Sequence, residues 1–138
     1  MERLFLLADD DLDDAELFSE AVMNLDPHVD FRHVEDSNEL FKFLEGQEKK
    51  IPDILFLDIN MVPVSGWDCL IKIKNRKEYR DIPIIIYSTS SSNLDKQKAR
   101  KLGASGFLSK PSDIRILTGV LRKLATGGEV SMWDGGHQ

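Results

Sequence analysis

Three consecutive aspartates, Asp9-Asp10-Asp11, close the apolar run Leu4–Ala8, and another, Asp58, closes the run Ile54–Leu57. Ser88 and Thr89 end a further apolar run, Ile84–Tyr87, and Lys110 stands just past Gly106–Leu108. Crowded carboxylates repel, so they either protonate or gather a cation. An all-oxygen set suits a hard ion such as Mg²⁺ or Ca²⁺, and Mg²⁺ takes one or two carboxylates, keeps waters and shares a phosphate. A carboxylate is also a nucleophile toward phosphorus. Moving a phosphoryl group onto an anion needs its charge neutralised, by a metal ion, an ammonium or hydroxyl donors. Each piece alone has an ordinary explanation. Asp11, Asp13 and Asp14 read as helix N-terminal aspartates, Asp58 as a turn residue, Ser88–Ser92 as a polar loop, Lys110 as a surface lysine. The conjunction at the ends of four apolar runs is what points to chemistry.

Those runs alternate with segments of helical spacing. Val29–Val34 is the fifth apolar run. Ala15, Phe18, Ala21, Val22 and Leu25 share one helix face. Leu40, Phe41 and Leu44 follow the N-cap signal Asp36-Ser37. Trp67, Leu70 and Ile71 mark a third helix. Ile114, Leu117, Leu121 and Leu124 mark the last, capped by Ser112 or Asp113. The fourth helix, about Asn93–Leu102, is weak, with only Leu94, Ala99 and Leu102 apolar. It buries little and shifts at low cost.

Strand–helix alternation predicts a parallel sheet covered on both faces. The first, third and fourth runs are continuously apolar, as strands buried on both faces are. The expected fold is α/β, a flavodoxin-like doubly wound (βα)5 with strand order 2-1-3-4-5, and ligands bind such sheets beyond the carboxyl ends of the strands. There the order brings Asp9, Asp10, Asp58, Ser88, Thr89 and Lys110 around one crevice. The 138 residues make one domain of ordinary globular composition, 41% apolar and 30% charged. The domain is expected over 1–125, with 126–138 a flexible tail, although Trp133 beside Met132 is a candidate for docking on a partner. A formal net charge of −6 disfavours nucleic acid as a partner. No apolar run approaches the roughly 18 residues of a membrane span, and no signal peptide is legible. Cys69 is the only cysteine, which fits a reducing, cytoplasmic setting.

Four segments, Leu4–Asp11, Leu57-Asp58-Ile59-Asn60-Met61, Ile85–Thr89 and Gly103–Pro111, resemble in order and spacing the response-regulator receiver domains of two-component signalling, in the single-domain form found in bacteria. The resemblance covers about Glu2–Ala125. It implies a phosphorylation-activated switch, not an enzyme beyond its own phosphoryl transfer and autodephosphorylation. Asp58 would be the phosphoacceptor. Asp9, Asp10, Asp58 and the backbone carbonyl of Asn60 would hold Mg²⁺. Ser88 would bond the phosphoryl oxygen, Thr89 would offer its backbone N–H, and Lys110 would pair with the phosphoryl group and Asp58. Phe107 would be the aromatic switch residue, rotating inward as Ser88 moves. The Lys110–Pro111 bond would be cis. Asn60 and Ser90 would tune the lifetime of the phosphorylated state. Three departures are visible: Val62 stands where the family places Pro, with Pro63 after it, Ser88 replaces the commoner Thr, and Phe107 in place of Tyr lacks the hydroxyl.

The implied partners are a sensor histidine kinase or phosphotransfer protein and an unnamed downstream protein, with a homodimer through the fourth helix, fifth strand and fifth helix as a further expectation. The alternative is a pseudo-receiver that binds proteins without phosphorylation. A flavin carrier on the same fold would meet three aspartates where it needs phosphate donors. A phosphatase with an Asp nucleophile would need a general-acid carboxylate where Asn60 stands.

Overall fold

The computed structural model describes residues 3–46, 51–127 and 130–133. Five strands, β1 (Arg3–Ala8), β2 (Val29–Val34), β3 (Ile54–Leu57), β4 (Ile84–Ser88) and β5 (Gly106–Ser109), alternate with five helices. These are α1 (Leu12–Met23), α2 (Ser37–Leu44), α3 (Gly66–Lys74), α4 (Asn93–Lys101) and α5 (Ile114–Ala125). All strand pairs are parallel, in the order β2-β1-β3-β4-β5. The flavodoxin-like doubly wound order expected from the alternation is the one observed.

Side chains alternate across a strand, so the continuous apolar runs feed two separate cores. Leu6, Ala8, Leu55, Leu57, Ile84, Ile86 and Phe107 pack with Leu40, Leu44, Cys69, Leu70, Ile73 and Ala99, under α2, α3 and α4. Phe5, Leu7, Ile54, Phe56, Ile85, Tyr87 and Leu108 pack on the opposite face, with Ala15, Phe18, Ala21 and Val22 of α1 and Leu117, Leu121 and Leu124 of α5. The phase of α3 differs from expectation: Ile71 faces solvent, and Cys69, Leu70 and Ile73 form the buried side. Burial pushes the Cys69 thiol up to about 11, so the lone cysteine is a core residue. On α4 only Ala99 is buried, and Leu94 is 77% exposed. The short, mostly polar sequence of this helix therefore anchors it weakly.

Each helix start is fixed by a side-chain oxygen that accepts from a first-turn N–H: Asp11, Asp36, Ser65, Ser92 and Asp113. The register then aligns the strand ends. Ala8 stands opposite both Val34 and Leu57, so Asp9 and Asp58 leave the sheet side by side. Ser88 pairs with Ser109, which sets Lys110 beside the end of β4.

Phe18 knits α1 to the sheet. Its ring lies edge-on to Phe56 at 4.9 Å and to Tyr87 at 5.4 Å, and stacks on Phe31 at 5.5 Å. Phe18→Ala removes a wholly buried ring and leaves a cavity, so a loss of about 3–5 kcal/mol is expected in equilibrium denaturation.

Candidate functional site

The site lies at the carboxyl ends of β1, β3, β4 and β5. Asp9 is fully buried, and its backbone is pinned by Asp9 N–H donating to Val34 O at 3.1 Å and by His33 Nε2 at 2.8 Å from Asp9 O. One of its carboxylate oxygens, Oδ1, accepts from Asp11 N–H at 3.0 Å. The other, Oδ2, has no hydrogen-bond partner although it is buried. Lys110 Nζ stands 2.9 Å from that oxygen. The distance is that of an ion pair, but the angles do not make a hydrogen bond, so the oxygen keeps bonding capacity.

Asp58 is 4% exposed, and its N–H donates to Ala8 O at 2.9 Å. Its main chain is clamped by Gly66: a Cβ there would fall 2.0 Å from Asp58 O, so the first residue of α3 has to be glycine for the loop to close over the aspartate. Gly66 N–H donates to Ile59 O at 2.8 Å and completes that closure. The loop between them is tied to α2, because Ser37 Oγ accepts from Val64 N–H at 3.0 Å and Ser37 N–H donates to Val62 O at 3.1 Å. The Val62–Pro63 bond in this loop is cis, as is Asp26–Pro27.

One carboxylate oxygen from each of Asp9, Asp10 and Asp58 falls in a group within 4.8 Å, with Asp10 on the exposed side. Three carboxylates, one of them with an unsatisfied buried oxygen, are an oxygen donor set for a hard divalent cation. Their mutual repulsion shows in Asp58. Burial raises its carboxyl, Lys110 pulls it down, and Asp9 raises it again; the balance is about 6 against the ordinary 3.8. The backbone N–H of Asn60, an exposed residue two past Asp58, bonds the Asp58 carboxylate and opposes that rise.

Lys110 is where sequence and structure part. Its ammonium, only 8% exposed, hydrogen-bonds Asp14 Oδ2 at 2.8 Å and stands 4.0 Å from Asp58. Burial works to lower its pKa, but the hydrogen bond to Asp14 and the ion pair with Asp9 outweigh it and hold the ammonium charged. Tyr87 lies beneath it, with Nζ 5.4 Å from the ring centre. Asp14 reads in the sequence as one more N-terminal aspartate. The signal was present: Asp14 stands four residues before Phe18, hence on the same helix face, and Phe18 meets the Tyr87 ring that Lys110 covers.

The other predicted residues are placed as follows. Ser88 is buried, and its hydroxyl accepts from Ser90 N–H at 3.1 Å and not from Lys110. Thr89 is exposed at the rim. Ser90 is tied twice more, accepting from Ser92 N–H at 3.1 Å on its Oγ and from the Ser109 hydroxyl at 2.9 Å on its carbonyl, so Ser109 is a second residue the sequence reading passes over. Phe107 is already inside, with no exposed area, in the α2–α4 core. Lys110–Pro111 is not cis. Trans is the lower-energy isomer by about 0.5–1 kcal/mol, and Lys110 reaches Asp9 and Asp14 with it.

A model of the response regulator receiver domain matches residues 5–122. The chain belongs to that family. The transcriptional regulatory protein DegU of Brevibacillus brevis is 31% identical over 118 residues, which cover 85% of this chain and 49% of DegU. The chemotaxis protein CheV2 of Helicobacter pylori is 28% identical over 116 residues, 83% of this chain and 36% of CheV2. The chain thus spans half or less of the length of these relatives. In fold it is similar to the phosphorylated cyanobacterial phytochrome response regulator RcpA, with a TM-score of 0.81 at 23% identity over 93% of this chain and 98% of that one. The chemotaxis response regulator CheY4 of Vibrio cholerae superposes with a TM-score of 0.76 at 22% identity, over 90% and 99%. Receiver domains are phosphorylation-based signalling switches. Among the described residues of this one, no helix is long and apolar enough to cross a membrane.

The raised Asp58 carboxyl carries a stability prediction for the metal-free protein. A folded pKa above the ordinary value means that the native state binds the proton more tightly, so stability is full below about pH 4 and falls as pH rises through about 6. Asp58→Asn abolishes that fall. In chelator, the variant is expected to be more stable than wild type by about 1–3 kcal/mol at pH 7.5, with the difference closing near pH 4, as read by urea unfolding across that range.

Proposed function

We propose that this receiver accepts a phosphoryl group on Asp58 from a histidine kinase or phosphotransfer protein, with Mg²⁺, and signals by a change in what it binds. The observation that supports this most is the buried Asp58 carboxylate grouped with Asp9 and Asp10, with the Lys110 ammonium 4.0 Å away. An Asp58 oxygen forms a bond to phosphorus while the bond from phosphorus to the donor nitrogen breaks, and the donor imidazole leaves neutral once reprotonated. Asp9, Asp10 and Asp58, with the Asn60 carbonyl, would hold the cation, which supplies charge neutralisation for the incoming phosphoryl oxygens. Asp9 and Asp10 leave no room for a second anion without such a partner. Lys110, 4.0 Å from Asp58, would have only a short distance to travel to meet the new charge, and Ser88 and the Thr89 N–H would receive its oxygens.

The test is intact mass after incubation with a small acyl phosphate and Mg²⁺, on wild type, on Asp58→Asn and on wild type with chelator. A phosphoryl-sized gain in wild type with metal alone is expected. No gain, or an equal gain in Asp58→Asn, overturns the assignment and leaves the protein-binding pseudo-receiver as the reading.

Asp14 would set the balance of this switch. It gives Lys110 a second anion, so Asp9 can surrender its oxygen to a cation without stranding a buried ammonium. The same bond competes with the phosphoryl group for Lys110. Asp14 is partly exposed, so the competition is worth about 1 kcal/mol or less. Asp14→Asn is therefore expected to tighten binding of beryllium fluoride, a phosphoryl mimic, by about two- to fivefold in the presence of Mg²⁺, measured by titration against Asp14→Glu, which keeps the wild-type affinity.

A further inference from the structure

β5 is the last strand of the sheet, so its outer edge would present Phe107 N–H and Ser105 C=O to solvent. Both are satisfied by the chain's own residues 130–133. Phe107 N–H donates to Met132 O at 2.5 Å, Met132 N–H donates to Ser105 O at 3.3 Å, and Gly106 and Met132 form a parallel bridge. The glycines of 126–138 suggest a flexible tail, with Trp133 a candidate for docking on a partner; here residues 130–133 lie along β5, and the tail beyond Trp133 lies outside the described residues.

Side chains on both sides of this segment are placed as a strand requires. Val130 and Met132 pack against the core under α1 and α5, and Trp133 against the core under α2 to α4. The Arg100 guanidinium of α4 lies 4.3 Å over the indole ring. The fit extends to the backbone: a Cβ on Gly106 would fall 2.1 Å from Met132 O, so the approach exists only because residue 106 is glycine. Hydrogen bonds, apolar packing on two faces and a cation over the ring all hold one short segment on one edge.

The same strand is bonded on its inner side to the site. Lys110 N–H donates to Ser88 O at 2.7 Å, and the Ser109 hydroxyl to Ser90 O at 2.9 Å. β5 thus stands between the residues that would turn toward a phosphorylated Asp58 and a strap that grips Phe107 from outside. Arg100, which holds Trp133, belongs to α4, the helix with the least buried anchorage.

We propose that Val130–Trp133 is a built-in strap that closes the β5 edge in the unphosphorylated protein and that phosphorylation loosens it, opening the edge to an extended segment of a binding partner. The release rests on the phosphorylation reading above; the strap does not. A homodimer through the α4–β5–α5 face would also have to displace it.

The experiment uses the full chain. Exchange of the Phe107 amide is followed by NMR in wild type, Gly106→Ala and Met132→Pro, with and without acyl phosphate and Mg²⁺, and intact mass is read on each sample. Acrylamide quenching of Trp133 is read in a Trp67→Phe background. Gly106→Ala drives the strap off from the strand side. Met132→Pro does so from the tail side, removes the bond to Ser105 and leaves β5 itself untouched. Both variants are expected to speed Phe107 exchange by about tenfold or more and to expose Trp133, with amide protection in β1 and β3 unchanged. Phosphorylated wild type is expected to move the same way. Exchange in unmodified wild type as fast as in Met132→Pro overturns the strap. Unchanged protection in a sample whose mass shows full phosphorylation overturns its release. A sample that gains no phosphoryl mass overturns the release together with the phosphorylation reading, while the Met132→Pro contrast still decides the strap.

Discussion

One ammonium balances the acidic groups gathered at the carboxyl edge of this sheet. Lys110 is held between Asp9 and Asp14 with Asp58 a short step away, and nearly all of it is out of water. A buried ammonium without an anion would be untenable, and so would these buried carboxylates without a cation. Each side of the cluster exists because the other does. The charge on Asp58 is what is left over: burial and Asp9 raise its carboxyl, Lys110 lowers it, and the balance is about 6. Such a group is neither locked as an anion nor locked as an acid, and it gains from any added cation.

That balance depends on backbone positions fixed far more firmly than the side chains. Parallel register puts Asp9 and Asp58 on adjacent strands one step past Ala8 and Leu57. Gly66 then presses α3 against the Asp58 carbonyl, and Ser37 ties the following loop to α2. β1, β3 and β4 are thus the deeply buried centre of the sheet, with the start of α3 pressed against it. On the other side of Lys110 lie Ser88 to Ser92, β5 and α4, which buries only Ala99.

The strand ends were legible because they follow from local pattern: apolar runs stop at charged residues, and parallel topology brings the stops together. The caps at Asp11, Asp36 and Asp113 were legible for the same reason. What escaped is whatever depends on which of several like-charged partners a long side chain reaches. Only the spacing within α1 tells Asp14 from Asp13: Asp14 stands four residues before Phe18, whose ring meets Tyr87 under the ammonium, and nothing in the residues next to Lys110 carries that choice. The phase of α3 escaped because Trp67 and Ile71 are as apolar as Cys69 and Ile73, and the packing of Gly66 on Asp58 decides between the two faces. The inward Phe107 and the trans Lys110–Pro111 bond were expected otherwise only from family resemblance, which carries an average over states and members and no local physics.

The strap shows why a glycine in an edge strand is worth reading as an acceptor site. Gly106 weakens β5 as a strand, with no side chain to pack and more backbone freedom to lose. In a four-residue edge strand that cost makes sense only if another backbone comes close, and Met132 O does. The segment that approaches has alternating apolar residues in a stretch whose glycines otherwise suggest a free end, and its aromatic residue lies under an arginine of the helix least fixed to the core. Edge, glycine, strap and α4 therefore form one mechanical unit, and its inner side is bonded to Ser88 and Ser90. On the proposed reading, a charge added at Asp58 would reach the outer edge of the sheet through Lys110, which stands 4.0 Å from Asp58 at the end of β5.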